Sequence, residues 1–298
     1  MNRRNFQLET DASKPFANRH AGQVKEIAST ANPIVKDIKG LALKKNRDAQ
    51  NLFMAEGLKL VTDAIVNGWN VRTLIYAKHM ANQPHLQEVA KKAATGGAQI
   101  LEVSDKVLAA ISRRDNPQMV MGVFEQRWHL PQAMAKLADA PGDILIALER
   151  VRDPGNLGTI IRTADASGAK GIILVDDTTD PYSMEAVRAT MGSIFNTKLC
   201  RMTSNDLVAW RAGFTGDIIG THLKATIDYR SINYSQKPNL LLMGNEQQGL
   251  SENLAKLCDH LAFIPMAGKA DSLNLAISTA VMLFEMRRNF LNMPEGRN

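Results

Sequence analysis

Short apolar runs alternate with amphipathic segments along most of this 298-residue chain. The runs predict strands, and apolar residues three or four positions apart predict helices between them. In residues 23–126 this alternation predicts a compact α/β domain. Residues 1–22 are polar and aperiodic, which predicts a flexible tail. Residues 127–142 contain Pro131 and Pro141, and they predict a linker between two domains.

Residues 143–298 begin with the near-continuous apolar run Asp143–Glu149, which is typical of a strand buried on both faces of a parallel sheet. Further strand and helix patterns follow in alternation, so this half predicts a second α/β domain. Three of its predicted strands run into unusual loops, at residues 153–158, 244–249 and 265–274. Ligands bind beyond the carboxyl ends of strands in open parallel sheets, so these loops predict a ligand site.

All three loops lead into predicted helices, the second of them at residues 252–258. The first loop contains Gly155 and Gly158 before a helix predicted over residues 159–167, and the third follows Pro265 before a long helix expected to begin near Ser272. Free backbone N–H groups at such helix starts can bind a ligand. The glycine spacing is not that of a dinucleotide fingerprint, and no Gly-Lys-Ser/Thr of a phosphate loop follows. Taken alone, each loop could also be an ordinary strand–helix connection.

The charge of the chain is uneven. Its net charge is +6 at pH 7, and residues 1–50 hold ten Lys and Arg against five Asp and Glu. A basic segment on a nearly neutral body suits a module that faces RNA or DNA, although basic tails also serve solubility. Asn32 and Pro33 predict the start of a basic helix that ends near residue 47. It would present five cations to a nucleic acid: Lys36, Lys39, Lys44, Lys45 and Arg47.

Other composition features bound the location. No apolar run approaches the length of a membrane span, and the first residues lack the apolar block of a signal peptide. The two cysteines, Cys200 and Cys258, form no disulfide framework. His79 and His85 are six positions apart and make no helical metal pair. These observations predict a cytoplasmic protein with no membrane partner and no metal site.

The three loops together resemble the signature motifs of the SpoU (TrmH-like) RNA ribose methyltransferases of the SPOUT superfamily. The first motif of that family has Asn, Gly and Arg at the spacing of Asn156, Gly158 and Arg162. The second motif is similar to residues 244–251, and the third is similar to residues 264–274. Each motif alone is weak, but the combination is highly specific.

The resemblance covers essentially Asp143–Asn289, and residues 23–126 resemble more loosely the ribosomal-protein-like substrate-binding domain that is often fused ahead of it. One position departs from the pattern, because Gln247 stands where the family often has glycine after Asn-Glu. The resemblance implies a sheet whose last helix threads a deep trefoil knot, a rare exception to unknotted topology. It also implies a homodimer with the active site at the subunit interface. A stripe on the last helix suits both roles, although a core helix would look the same: Leu273, Ile277, Ala280, Val281 and Phe284.

The cofactor implied by the resemblance is S-adenosyl-L-methionine, the methyl donor, with no metal ion. It would be held largely by backbone groups of the second and third loops. The positions carried over as cofactor-binding are Gly244, Ile264, Met266, Leu273 and Asn274.

The family assigns the role of general base to the first-motif arginine, here Arg162. A guanidinium has a pKa above about 12 and ordinarily stays protonated, so a second role fits its chemistry better. In that role Arg162 binds the adjacent phosphate and stabilises the developing alkoxide, while the proton goes to phosphate or water. Asn156, Glu246 and Asn274 would orient Arg162 and the ribose. Arg188 is a weaker candidate for a contact with RNA phosphate, and a helix-surface ion pair is its alternative.

Two other functions compete with methylation of 23S ribosomal RNA. A ribose of transfer RNA is an alternative substrate for the same fold, but relatives that act on transfer RNA more often carry helical extensions. A non-catalytic RNA-binding or ribosome-assembly protein is an alternative of a different class. Such a protein would be expected to have lost Arg162, Asn156 or the turn at residues 272–274, and all three are present.

Overall fold

The computed structural model describes residues 24–292, so the predicted tail of residues 1–22 lies outside the described part of the chain. The predicted fold class is confirmed, because a smaller α/β unit precedes a larger one with a parallel sheet. The exact ends assigned to the two domains and the linker stay predictions.

The first unit contains a five-stranded mixed sheet. Its elements in chain order are β1 (Val24–Ile27), α1 (Pro33–Gly40), α2 (Lys44–Gln50), β2 (Leu52–Glu56), α3 (Leu58–Val66), β3 (Val71–Ala77), α4 (Pro84–Thr95), β4 (Gln99–Val103), α5 (Asp105–Ser112) and β5 (Val120–Glu125). The strand order is β1-β4-β3-β5-β2. The pairs of β4 with β1 and β3 are parallel, and those of β5 with β3 and β2 are antiparallel.

The predicted single basic helix over residues 32–47 is wrong, because two helices form there. Asn32 caps α1, and its Oδ1 accepts the N–H of Ile34 at 3.0 Å. α1 ends at Gly40, a residue that disfavours helix interiors. The carbonyl of Gly40 accepts a hydrogen bond from Nδ2 of Asn46 at 2.9 Å. A side chain of α2 therefore provides a partner for this carbonyl at the break between α1 and α2.

The second unit contains a seven-stranded sheet whose six strand pairs are all parallel. Its elements, with the short helix α6 ahead of them, are α6 (Pro131–Ala135), β6 (Ile144–Glu149), α7 (Pro154–Ser167), β7 (Gly171–Val175), α8 (Met184–Ala189), β8 (Leu199–Met202), α9 (Ser204–Trp210), β9 (Asp217–Thr221), β10 (Ile227–Asp228), β11 (Asn239–Met243), α10 (Glu252–Ala255), β12 (His260–Phe263) and α11 (Leu275–Met286). The strand order is β10-β12-β9-β11-β6-β7-β8. Every residue of β6, β7 and β11 is buried, as the apolar runs predict for central parallel strands.

The helices that follow the first and third motif loops begin at other residues than predicted. α7 begins at Pro154, five residues earlier, because Oδ1 of Asp153 accepts the N–H of Asn156 at 2.5 Å and proline suits the first helical position. α11 begins at Leu275 after its cap, Asn274. The whole first motif therefore lies on a helix and not in a loop. The trefoil knot implied around α11 stays a prediction.

The two units share one hydrophobic core. Phe53, Trp69 and Phe124 of the first unit meet Tyr182 and Phe195 of the second. Ring centroids are 4.6 Å apart for Phe53 and Tyr182, and 5.2 Å apart for Trp69 and Phe195. The indole N–H of Trp69 also donates to the carbonyl of Phe195 at 2.8 Å. Such packing fixes the orientation of the first unit on the second.

The predicted exposure of Arg47 is wrong, because this side chain is buried between the units. Its Nε and Nη2 donate to Oδ2 of Asp180 at 2.8 and 2.6 Å, and both side chains are 4% exposed. Its Nη1 donates to the carbonyls of Leu41 and Ala42, which follow α1. A buried carboxylate needs such a partner, so Arg47 holds the fold together and does not face RNA.

Arg188 is likewise committed to a contact between the units. Its guanidinium donates to both carboxylate oxygens of the buried Glu56, at 3.1 and 2.6 Å, and to the carbonyl of Ser112 at 3.0 Å. These bonds occupy Nε and Nη2, so Glu56 is the partner of Arg188 within the chain, and the predicted contact with RNA phosphate stays a prediction.

We expect Arg47→Met to lower the free energy of unfolding by about 3–5 kcal/mol, because it leaves the Asp180 carboxylate buried without its cation. Chemical denaturation followed by circular dichroism measures the change. Lys45→Met, on the exposed side of α2, is the matched control and should unfold with the wild-type midpoint. A decrease of less than about 1 kcal/mol in the free energy of unfolding of Arg47→Met would show that the buried ion pair does not stabilise the contact between the two units.

Candidate active site

Three side chains, one from each motif segment, form a chain of hydrogen bonds at the carboxyl edge of the second sheet. Nδ2 of Asn156 donates to Oε1 of Glu246 at 3.3 Å, and Nδ2 of Asn274 donates to Oδ1 of Asn156 at 3.0 Å. The backbone N–H groups of Arg152 and Asp153 approach the same carboxylate at 3.4 and 3.5 Å. We call Asn156, Glu246 and Asn274 the loop bridge, because it joins all three segments.

The electrostatics of the two helices favour this position for the Glu246 carboxylate. α7 and α11 run parallel, since Asn156 and Asn274 meet near their starts and Nε of Arg287 donates to the carbonyl of Ser167 near their ends, at 3.2 Å. Both helix N-termini therefore lie beside Glu246. A helix N-terminus carries partial positive charge, which stabilises an anion there.

The second loop is shaped by Asn245. Its Oδ1 accepts the N–H groups of Gln247 and Gln248 at 2.9 and 3.2 Å, and its Nδ2 donates to the carbonyl of Arg150 at 2.8 Å. Gln247 is not among the residues with positive φ, whereas Gly249 has a φ of 68°. The departure at Gln247 therefore introduces no left-handed backbone strain into the second loop.

A cleft of about 370 Å³ opens beside the loop bridge. Four of the predicted cofactor positions line it, and they are Gly244, Ile264, Met266 and Leu273. Asn274 does not line the cleft itself but caps α11 between the lining residues Leu273 and Leu275. A Cβ on Gly244 would overlap the backbone of Gly249 and Leu250, so only glycine lets the loop close on itself there. Volume and lining suit a small organic ligand held by backbone groups.

Arg162 stands apart from the loop bridge. It is exposed on α7, about 9 Å along the helix from Asn156 and about 120° around its axis. Its side chain makes no hydrogen bond or ion pair with any residue between 24 and 292. The structure therefore brings Asn156, Glu246 and Asn274 together but does not bring Arg162 to them within one chain.

The predicted RNA-binding lysines lie on the first unit. Lys36 and Lys45 are exposed, and Lys39 is half-buried. Lys44 is exposed and pairs with Asp48 one turn along α2. Four of the five predicted cations on α1 and α2 thus remain open to solvent, and Arg47 does not.

Several residues that shape the site were not predicted from the sequence. Asp153 caps α7, and the buried Glu149 accepts the N–H of Ser251 at 2.9 Å, which anchors the end of the second loop. A carboxylate at the end of an apolar strand was a usable signal for Glu149. His222 and Lys224 line the cleft from the segment after β9. That segment carries no recognisable pattern, so only the fold reveals it.

The fold and site define an α/β ligand-binding domain with its cleft at the carboxyl edge of a parallel sheet and with polar side chains converging beside that cleft. In the described part of the chain, no group of three or more His, Cys, Asp or Glu side chains could hold a metal ion. No helix between residues 24 and 292 is long and apolar enough to cross a membrane.

Comparisons with known proteins give this class a family. Residues 143–284 match the SpoU rRNA Methylase family, and residues 32–122 match the MRM3-like substrate binding domain. The chain is 31% identical to the 23S rRNA (guanosine(2553)-2'-O)-methyltransferase RlmP of Bacillus subtilis, over 89% of this chain and 100% of that protein. It is 32% identical to a 23S rRNA (uridine(2479)-2'-O)-methyltransferase of Streptomyces viridochromogenes, over 83% of this chain and 86% of that protein.

A solved structure is more similar still. The AdoMet-bound rRNA methyltransferase of Sinorhizobium meliloti is 54% identical to this chain, with a TM-score of 0.85 over 91% of this chain and 100% of that one. The chain belongs to the SpoU rRNA methylase family. The predictions of the family, of a methyltransferase and of S-adenosyl-L-methionine as cofactor are thereby confirmed.

We expect Gly244→Ala to weaken binding of S-adenosyl-L-methionine by roughly tenfold or more, because overpacking costs about 1–3 kcal/mol and must displace the second loop. Isothermal titration calorimetry measures the affinity. Gly268→Ala, in the third loop, is the control, since a Cβ there meets nothing within 4 Å. Wild-type affinity in Gly244→Ala would exclude this loop from the cofactor site.

Proposed function

We propose that this chain transfers a methyl group from S-adenosyl-L-methionine to a ribose 2′-hydroxyl of large-subunit ribosomal RNA. The observation that carries the proposal is the loop bridge beside the cleft, because it joins all three family motifs through Asn156, Glu246 and Asn274. The relatives named as 23S rRNA 2'-O-methyltransferases support the same reaction. A cytoplasmic location follows from this substrate.

The cleft fits the cofactor. Gly244 lets the second loop close on itself at the wall of the cleft, and Ile264, Met266 and Leu273 offer an apolar wall. When bound, S-adenosyl-L-methionine supplies an electrophilic methyl group on a sulfonium centre. Asn245 holds the second loop in shape, and Asn274 holds the start of α11, so the chain presents a largely preformed site.

The chemical difficulty is the ribose hydroxyl, which is a poor nucleophile until it loses its proton. Arg162 keeps its own proton at neutral pH, so we propose that it binds the neighbouring RNA phosphate and stabilises the developing alkoxide. The proton passes to phosphate or water. Asn156, Glu246 and Asn274 orient the ribose from the other side of the reacting group.

Ribosomal RNA is favoured over transfer RNA by the first unit. The match to a substrate-binding domain covers residues 32–122, and two relatives aligned over 89% and 83% of this chain are named for 23S rRNA. The exposed lysines Lys36, Lys44 and Lys45, with the half-buried Lys39, suit contacts with RNA phosphates. Transfer RNA remains the alternative substrate for the same chemistry.

We propose further that the chain works as a homodimer through α7 and α11. The exposed strip of α11 includes Ile277 and Phe284, which are 50% and 48% exposed, with Val281 half-buried between them. Apolar residues at helical spacing on an open face suit a second copy of the chain. Arg162 lies on the exposed face of the neighbouring α7, so such a dimer would allow it to serve the loop bridge of the partner.

We expect Arg162→Ala to lower methyl transfer to a 23S rRNA transcript by roughly 10²–10³-fold or more, because it removes the proposed oxyanion contact. Affinity for S-adenosyl-L-methionine should stay at the wild-type value. Tritium transfer and calorimetry measure the two properties, and Arg230→Ala, which removes an exposed arginine outside the cleft, is the control. High activity in Arg162→Lys would show that a positive charge suffices and that the planar guanidinium is not required. Full activity in Arg162→Ala would exclude Arg162 from the proposed contact with the developing alkoxide.

We expect Phe284→Asp to give a monomer without methyl transfer activity, because a carboxylate would be buried in the proposed interface. Size-exclusion chromatography with light scattering measures the mass. Val66→Asp, on α3 where the side chain is 74% exposed, is the matched control and should not change it. An unchanged mass and activity in Phe284→Asp would contradict this dimer face.

A further inference from the structure

The turn after α8 has a backbone conformation that its residues disfavour. Met191 has a φ of 52° and Gly192 a φ of 102°. Left-handed backbone is uncommon outside Gly, Asn and Asp, and it is an outlier for a bulky side chain. Met191 is also 62% exposed, so packing in the core does not explain why this position holds a methionine. A strained turn that holds a large apolar side chain in solvent is a feature of functional positions.

This turn lies beside Arg162. A Cβ on Gly158 would overlap Ala189, so α7 and the end of α8 touch there. Seven residues later on α7, Oδ2 of Asp165 accepts a hydrogen bond from Nδ2 of Asn196 at 3.1 Å. Residues 189–196 therefore run along α7 between these two contacts. Arg162 is one turn from Gly158 and one turn from Asp165 on the same side of the helix, which brings it next to the turn.

The first unit borders the turn on its other side. A Cβ on Gly192 would lie 3.9 Å from Oδ2 of Asp63 on α3. Nδ2 of Asn67 donates to Oδ1 of Asn196 at 2.8 Å, and Arg188 bonds the carbonyl of Ser112 at the end of α5. Met191 thus lies at the seam where the first unit meets α7.

Exposed arginines lie on the elements that border this turn, with Arg162 on α7 and with Arg113 and Arg114 directly after α5. The carboxylates of Asp63 and Asp165 border it as well. The buried Glu56 is already paired with Arg188 at 2.6 Å, and Arg114 lies farther from it, at 3.9 Å. The guanidinium groups of Arg162, Arg113 and Arg114 are therefore open to an anionic partner.

We propose that Met191 is a positioning residue that packs against a nucleobase next to the target nucleotide of the RNA substrate. The inference rests on the proposed function. An exposed, polarisable apolar side chain at a seam bordered by exposed guanidinium groups suits a nucleobase with its phosphates nearby, and apolar wedges of this type separate stacked bases.

A second copy of the chain fits the seam less well than RNA does. The apolar strip of α11 lies on the side of α7 that carries Asn156 and Ser167, whereas Met191 lies on the side of Gly158 and Asp165. Three exposed arginines, Arg162, Arg113 and Arg114, border the seam, and guanidinium groups suit the phosphates of a polyanion.

Kinetics with a 23S rRNA transcript and tritiated S-adenosyl-L-methionine test the proposal. We expect Met191→Ala to raise KM for RNA roughly tenfold, as loss of one base contact does, with cofactor affinity unchanged. Met191→Leu should recover most of the loss. Leu130→Ala, which removes a side chain that is 65% exposed ahead of α6, is the matched control.

Met191→Asn separates function from folding. Asparagine tolerates left-handed backbone, so the melting temperature should stay level or rise while RNA methylation falls. Wild-type kinetics in Met191→Ala or Met191→Asn would overturn the inference and leave the proposed methyltransferase intact. Failure of the wild-type protein to methylate either ribosomal or transfer RNA would overturn both.

Crosslinking identifies what Met191 touches. With p-benzoylphenylalanine at position 191, irradiation of the protein with the 23S rRNA transcript should crosslink it to a nucleotide adjoining the methylated one, mapped by primer extension. A crosslink to a second copy of the chain instead would assign Met191 to a protein interface and overturn the proposal.

Discussion

The hydrogen bonds of the Asn156 amide are the constraint on which the site depends. One end of this amide donates to Glu246 and the other end accepts from Asn274, so a single side chain joins segments that are about a hundred residues apart in the sequence. A carboxylate could not accept and donate in this way, and a hydroxyl would not reach both partners. The N-termini of α7 and α11 are held together beside one carboxylate as a result. The cleft proposed for the cofactor opens beside Asn156, Glu246 and Asn274.

A second constraint connects the site to the substrate-binding unit. The aromatic cluster around Phe53 and Phe195 and the buried pair of Arg47 and Asp180 make the two units one packed body. A module that recognises RNA at a distance from the reacting group can set register only if it is held rigidly. The packing between the two units therefore has a functional consequence. It fixes the distance between the cleft and the lysines of α1 and α2.

Local features of this fold can be predicted from the sequence, whereas contacts between distant segments cannot. Buried parallel strands such as β6 were predictable, because their apolar composition is a local property. The start of α7 was predicted too late, since Asp153 and Pro154 were interpreted as loop residues and not as a cap and first turn. The burial of Arg47 was not predictable, because its partner lies 133 residues away. Position alone could not tell this arginine from the exposed lysines around it.

Arg162 and Gln247 show two further limits. The effect of Gln247 depended on a backbone angle that no residue pattern encodes, and that angle proves ordinary. The motif identified Arg162, but within one chain this residue stands apart from the loop bridge. The proposed homodimer would bring Arg162 to the loop bridge of a second copy, and periodicity along α11 could not separate a dimer face from a core face.

Mapping of 2′-O-methyl groups on the ribosomal RNA of cells that lack this protein is the most direct measurement of its function. We expect one ribose methylation of 23S rRNA to disappear, and to return when the wild-type gene but not the Arg162→Ala gene is supplied. An unchanged 23S rRNA pattern together with a missing methyl group in transfer RNA would contradict the assignment of the substrate. Unchanged methylation in both RNAs would contradict the assignment of a ribose methyltransferase.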